Sequence, residues 1–250
     1  MRVTMLGTGT SFGVPSVACA CAVCTSADPR DRRDRASVLV EVGQATILVD
    51  TATEFRHQAL RHRLQRLDAV LFTHAHADHV GGLDDLRRFC VRGPLPCYGS
   101  LSTRAALLKR FDYAFQAPAW AGAAPELTFY PVFGPFRAAG VEIVPVPLQH
   151  GPMEVLGFRF GNVAYATDCN GIPPASRALL RDLDLLILDA LRFTPHPTHF
   201  TLAESLAVIA DLRPRRAVLT HISHEISHTA VSAELPPGVE LGYDGMVLEV

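Results

Sequence analysis

The sequence is 250 residues long, with a formal net charge of −2, 48% hydrophobic residues and 19% charged residues. This composition excludes a disordered chain and supplies apolar material for one large core, so a single domain over 1–250 is expected. The near-neutral balance gives no polyanion-binding signature, which makes nucleic acid an unexpected partner.

No apolar run reaches the roughly 18 residues of a membrane span. The N-terminus passes from Val3-Thr4-Met5-Leu6 straight into a Gly-Thr-Gly turn, without the regions of a secretory signal, and this predicts a cytoplasmic protein that does not engage a membrane. Short β-like runs ending in Gly, Asp or His occupy 3–6, 38–42, 46–49, 69–72, 141–146, 155–160, 163–166, 185–188, 217–219 and 247–250. Helical periodicity covers 54–64, 103–110, 174–183 and 202–212, the last opened by Thr201 and Glu204 as a capping box. Runs 38–42 and 46–49, joined through Gly43-Gln44, read as a hairpin. A uniformly alternating parallel sheet is therefore excluded, and an α/β (α+β) fold of two mixed β-sheets flanked by helices is predicted. The Arg/Asp run 28–35 reads as a solvated loop, and the Pro/Gly-enriched stretch 116–140 as a long surface connection.

The strongest chemical signal follows the run 69–72. His74 and His76, two apart in extended chain, point the same way and can share a metal ion. If the chain turns into a short helix at Asp78-His79, as Val80-Gly81-Gly82-Leu83 allows, those two side chains project elsewhere and can hold a second ion. Imidazole and carboxylate suit Zn²⁺ and are acceptable to Mn²⁺ or Fe²⁺. Asp50, at the end of the run 46–49, is expected to orient a ligand histidine from behind.

The run Thr73-His74-Ala75-His76-Ala77-Asp78-His79-Val80-Gly81-Gly82 resembles the signature of metallo-β-lactamase superfamily hydrolases. That resemblance implies an αββα sandwich with a dinuclear site along one edge. It implies three later ligands, for which His150, Asp168 and His221 stand at the ends of apolar runs. His74, His76, His150 and Asp168 are then given to one ion, and Asp78, His79, Asp168 and His221 to the other, with Asp168 bridging. Asp78 is counted among the catalytic residues as well as the ligands.

Of six cysteines, Cys90, Cys97 and Cys169 are scattered and read as small apolar side chains. Cys19, Cys21 and Cys24 cluster, which in a reducing compartment points to metal, but a closed zinc site needs a fourth ligand. His224, in His221-Ile222-Ser223-His224, can supply it and staple the loop 7–35. This pairing of a cysteine triad with a distal Thr-His-Ile-Ser-His run, together with Gly7–Pro15 and Gly242-Tyr243-Asp244-Gly245-Met246, resembles the PhnP-like phosphodiesterase branch, phosphoribosyl 1,2-cyclic phosphate phosphodiesterases and their relatives.

The resemblance implies two active-site Zn or Mn ions, one structural Zn, and hydrolysis of a small phosphodiester by a hydroxide bridging the two ions. His199 resembles the histidine that protonates the leaving group in that branch, and His196 is its rival three residues away. Alternatives are tRNA 3′-processing, thioester or lactam hydrolysis, and a non-catalytic zinc-binding module. A homodimer through the Cys-rich loop or the aromatic stretch 111–120 is also compatible with the sequence.

Overall fold

The computed structural model of the chain describes residues 1–116, 120 and 122–250. The chain first lays down strands β1 (Arg2–Gly7), β2 (Ser37–Val42), β3 (Ala45–Val49), β4 (Ala69–Leu71), β5 (Leu95–Gly99) and β6 (Leu127–Pro131). A second group follows: β7 (Phe136–Ala138), β8 (Val141–His150), β9 (Met153–Phe160), β10 (Val163–Ala166), β11 (Leu185–Asp189), β12 (Arg216–Thr220) and β13 (Val239–Leu241). The last strand, β14 (Val247–Glu249), returns to pair with β1, giving two seven-stranded sheets ordered β14-β1-β2-β3-β4-β5-β6 and β13-β12-β11-β10-β9-β8-β7. Both sheets are mixed, as expected from the β2–β3 hairpin, which pairs antiparallel with Gly43 at φ 58 in its turn.

Side-chain alternation along the strands builds three apolar layers. In β3, Ile47 and Val49 face the interior between the sheets, while Leu48 faces outward. In β11, Leu185 and Ile187 face inward, and Leu186 and Leu188 outward. The outer face of the first sheet is covered by α1 (Phe55–Arg61) and α3 (Leu101–Arg110), through Phe55 and Leu107. The second sheet is covered by α4 (Pro174–Leu179), α5 (Leu202–Leu212) and α6 (His228–Ser232), through Leu179, Leu202, Val208, Ile209, Leu212 and Val231. The result is the αββα sandwich. Each such side chain fully withdrawn from water contributes about 1.5–3 kcal/mol, so both sheets are held on both faces. The capping box of α5 is present, with Thr201 accepting from the Glu204 N–H and the Glu204 carboxylate accepting from the Thr201 N–H.

Two expectations are corrected. The stretch 116–140 is not only a connection, because β6 and β7 lie within it. The run 28–35 is not simply solvated: Asp31 and Arg33 are buried. The Arg33 guanidinium pairs with Asp31 at 2.9 Å and donates to the backbone carbonyls of Ser223 and Ile226, fastening the early loop to the segment 221–228. Arg33→Met leaves the Asp31 carboxylate buried without its cation. Urea denaturation is expected to read a loss of about 3–5 kcal/mol; a loss below about 1 kcal/mol would mean the pair is dispensable.

Of the aromatic stretch 111–120, residues 117–119 lie outside the described residues. Among the described residues no helix is long and apolar enough to cross a membrane.

Candidate metal centre

Strand direction gathers the polar residues at one edge. β3 runs parallel to β4, and β10, β11 and β12 run parallel to one another, so within each set the C-terminal ends emerge together. Asp50, His74, Asp168, Asp189 and His221 stand at or just beyond such ends, and His150 closes β8, which runs in the direction of β10 because both pair antiparallel with β9. The turn after β4 becomes the short helix α2 (Ala77–Val80), which carries Asp78 and His79, while His76 stays extended at its N-cap. Three of these residues, Asp50 (φ 62), Asp168 (φ 53) and His221 (φ 59), hold left-handed backbone conformations that non-glycine residues adopt reluctantly.

All seven residues expected to bind the two ions come together, in two groups that share Asp168. His74, His76, His150 and Asp168 offer ligand atoms within 4.8 Å of one another, and so do Asp78, His79, Asp168 and His221. The carboxylate of Asp168 is divided between them. Its Oδ2 lies 3.8 Å from His74 Nε2, while its Oδ1 lies 3.1 Å from His79 Nε2 and 3.4 Å from His221 Nε2. Asp78 Oδ2 is 3.3 Å from His79 Nε2 and 3.6 Å from His221 Nε2.

Hydrogen bonds behind the cluster set the histidine tautomers. Asp50 accepts the Thr73 N–H at Oδ1 and the Thr73 hydroxyl at Oδ2. With its proton so committed, Thr73 Oγ1 accepts from His74 Nδ1 at 3.0 Å. Asp50 Oδ2 also accepts from His79 Nδ1 at 2.7 Å, and the Thr198 carbonyl accepts from His150 Nδ1 at 2.9 Å. Each of these rings therefore turns Nε2 toward the cluster. The Nε2 atoms of His74, His79 and His221 are buried without a hydrogen-bond partner. Buried polar atoms left so are rare, and three aimed at shared carboxylates fit the donor set of a divalent cation.

Electrostatics agree. Burial opposes charge on Asp168, but His221 and His79 outweigh it and hold its carboxyl well below the usual range. Burial likewise opposes protonation of His221, yet Asp168, Asp78 and Asp189 push it up to about 9. Burial and the neighbouring His79 hold His74 well below its ordinary value, and burial lowers His76 and His150. Carboxylates that stay ionised and hold protons on the histidines around them attract a metal cation for the same reason, since proton and metal compete for those rings.

His199 is buried beside the second group, its ring stacked on His221 with centroids 4.6 Å apart and edge-on to His150 at 4.7 Å. Its Nδ1 donates to Asp189 Oδ2 at 2.8 Å. Asp189 had no assigned role in the sequence reading. The signal was present, an aspartate closing an apolar strand as Asp50 does, but its partner His199 is ten residues away across a loop. His196 is half-buried, its ring centroid 5.1 Å from that of His199, and its Nδ1 accepts from the Thr198 N–H.

The cysteine triad and His224 also converge. Cys19, Cys24 and Cys21 place Sγ at 3.2, 3.4 and 3.7 Å from His224 Nδ1. Tetrahedral zinc with bonds of about 2.0–2.3 Å sets its ligand atoms about 3.5–3.8 Å apart, so the four residues fit such an ion. The Cys24 backbone N–H favours a Cys21 thiolate, while burial pushes the Cys24 thiol up to about 11. Cys97 and Cys169 are buried apolar side chains, and Cys90 is half-buried.

Comparison with known proteins adds the lineage. A beta-lactamase superfamily domain matches residues 45–222. The crystal structure of a new diphosphatase from the PhnP family is 42% identical, with a TM-score of 0.94 over 100% of this chain and 97% of that one. An octanoyltransferase from Porphyromonas gingivalis is 38% identical over 98% of this chain but only 51% of its own length, so the chain spans about half of that relative. Zn²⁺-bound PqqB from Methylobacterium extorquens is 22% identical, covers 100% of both chains and superimposes with a TM-score of 0.80, a likeness of fold. A domain match across most of the chain and a near-complete superposition at 42% identity agree: the chain belongs to the metallo-β-lactamase superfamily and, within it, to the PhnP family.

Proposed function

We propose that the chain is a two-metal hydrolase that cleaves a bridging P–O bond in a small phosphodiester, cyclic phosphoribosyl phosphates included, within the cytoplasm. The observation that carries this reading is the division of Asp168, one oxygen toward His74 and the other toward His79 and His221. A carboxylate so shared is the ligand expected between two ions. His74, His76, His150 and Asp168 would hold one, and Asp78, His79, Asp168 and His221 the other. When bound, such a pair supplies Lewis-acid stabilisation of phosphoryl oxygens and a nucleophile from water at neutral pH. Asp50 and Thr73 fix the rings of His74 and His79. His199 holds a proton at Nε2 for the leaving oxygen, and Asp189 keeps its ring oriented through Nδ1.

The similarity to a diphosphatase supports a second form of the same chemistry, hydrolysis of a substituted diphosphate. The octanoyltransferase name belongs to a protein about twice this length, half of which has no counterpart here. Metal-loaded protein is expected to hydrolyse bis-p-nitrophenyl phosphate, and kcat/KM for diesters against P1,P2-disubstituted diphosphates ranks the two forms. Absence of turnover with Mn²⁺, Zn²⁺ and Ni²⁺ alike would sink the proposal.

Cys19, Cys21, Cys24 and His224 are proposed to hold a third, structural zinc with no open position. The loop 221–228 would then carry a ligand of each kind, His221 for catalysis and His224 for the staple. Metal analysis is expected to count three ions per chain and two in Cys21→Ser. Retention of all three in that variant would remove the staple from the model of function.

A further inference from the structure

On one side of His199, a cavity of about 150 Å³ opens between the turn 10–13 and the segments 191–196 and 223–225. A space of that size takes a small ring. If His199 protonates the leaving oxygen, as proposed above, the departing group occupies this side.

Its lining is of two kinds. Phe12 and Arg192 are planar, whereas Ser11, Ser223 and Glu225 bring hydroxyls and a carboxylate. Phe12 is 73% exposed, at the tip of a turn closed by the Gly13 N–H donating to the Thr10 carbonyl. A singly exposed phenylalanine ordinarily means nothing. This one lines a cavity, and the turn that carries it is anchored, because Thr10 is tied to Ile222 and Val14 to Arg33 by backbone hydrogen bonds. Arg192 donates from Nε to the Thr194 carbonyl and from Nη2 to the Pro195 carbonyl, so its guanidinium is fixed by its own loop rather than left as a loose anion site.

An alkyl group here would make no use of the Ser11 and Ser223 hydroxyls or of the exposed Glu225 carboxylate. A polyol would satisfy them and leave the face of Phe12 unused. A planar ring with hydrogen-bonding edges uses both, its face on Phe12 and its edge on the polar wall. We propose that this cavity is the leaving-group subsite and that it takes a nucleobase or an equivalent heteroaromatic ring stacked on Phe12. The assignment to the leaving side rests on the proposed role of His199; the preference for a planar ring rests on the cavity itself.

The test begins with metal-loaded protein titrated by adenosine, methyl riboside and cyclohexanol, followed by ligand-observed NMR. Adenosine is expected to bind, with Kd weakened at least tenfold in Phe12→Ala and recovered to within about threefold in Phe12→Trp. The ratio of kcat/KM for diadenosine diphosphate to that for dimethyl diphosphate should fall at least tenfold in Phe12→Ala. Equal affinity of Phe12→Ala for adenosine, or methyl riboside binding as tightly as adenosine, would overturn the subsite. If no diphosphate or diester is turned over, the hydrolase reading fails while the adenosine titration still decides the cavity. If turnover is normal and adenosine does not bind, the cavity assignment alone fails.

Discussion

Asp168→Asn is expected to abolish turnover of bis-p-nitrophenyl phosphate and to remove more metal than any other single substitution in the centre. The substitution preserves shape, but one oxygen becomes an amide nitrogen that donates rather than accepts. Whichever group of ligands faces that nitrogen loses its shared oxygen, and the carboxylate charge that holds both groups together is gone. Removing an outer partner of a metal ligand already costs about 10–100-fold in affinity or activity, so loss of the shared ligand should exceed about 100-fold. His76→Ala touches only the first group and should cost less metal than Asp168→Asn. Metal analysis beside steady-state kinetics reads both. Two ions retained in Asp168→Asn, with activity within about tenfold of the parent chain, would show that the shared carboxylate is not the keystone.

The clustering of the candidate ligands was legible because chain geometry made much of it local. His74 to His79 fall within six residues on one strand-to-helix turn, and Asp168 and His221 each follow an apolar run whose strand direction brings it to the same edge. His150 was readable for the same reason at the end of β8. Asp189 was missed because its meaning lies in the loop that returns His199 to it, and no spacing encodes that return. Arg33 was indistinguishable from its neighbours Arg30 and Arg32 in sequence; its burial comes from carbonyls about 190 residues away, at Ser223 and Ile226. Strand β5 was missed because Pro96 removes a backbone donor, which argues against an interior strand, yet β5 lies between β4 and β6 and tolerates it within a short run.

Three features of the N-terminal loop share a location. Arg33, the triad of cysteines and the turn carrying Phe12 all lie in the first 35 residues, and all bear on the segment 221–228 or the cavity beside it. The two β-sheets bring the catalytic edge together by strand direction alone. The N-terminal loop is positioned by long-range polar contacts: Thr8 accepts the Ile222 N–H at its carbonyl and donates both its own N–H and its hydroxyl to Asp244. The proposed subsite is therefore built partly from the region of the chain whose structure depends least on local periodicity. Family resemblance therefore points to the strand-end histidines and aspartates more directly than to the lining of the cavity.

His199→Ala should separate the roles of the metals and the proton donor through the leaving group. p-Nitrophenolate departs without needing a proton, whereas an alkoxide does not, so loss of a general acid falls mainly on alkyl esters. General acid catalysis contributes about 10²–10⁴-fold, and the alkyl leaving group should lose at least the lower figure while p-nitrophenol loses under about tenfold. A plot of log kcat/KM against leaving-group pKa should steepen accordingly. Asp189→Asn should move in the same direction by less, since the ring of His199 persists but its Nδ1–H no longer meets a carboxylate. His196→Ala should leave the slope unchanged, because His196 is held by Thr198 rather than by an acidic partner. If His196→Ala steepens the slope and His199→Ala does not, the proton comes from the outer histidine. If neither does, the leaving oxygen is stabilised by a metal ion alone.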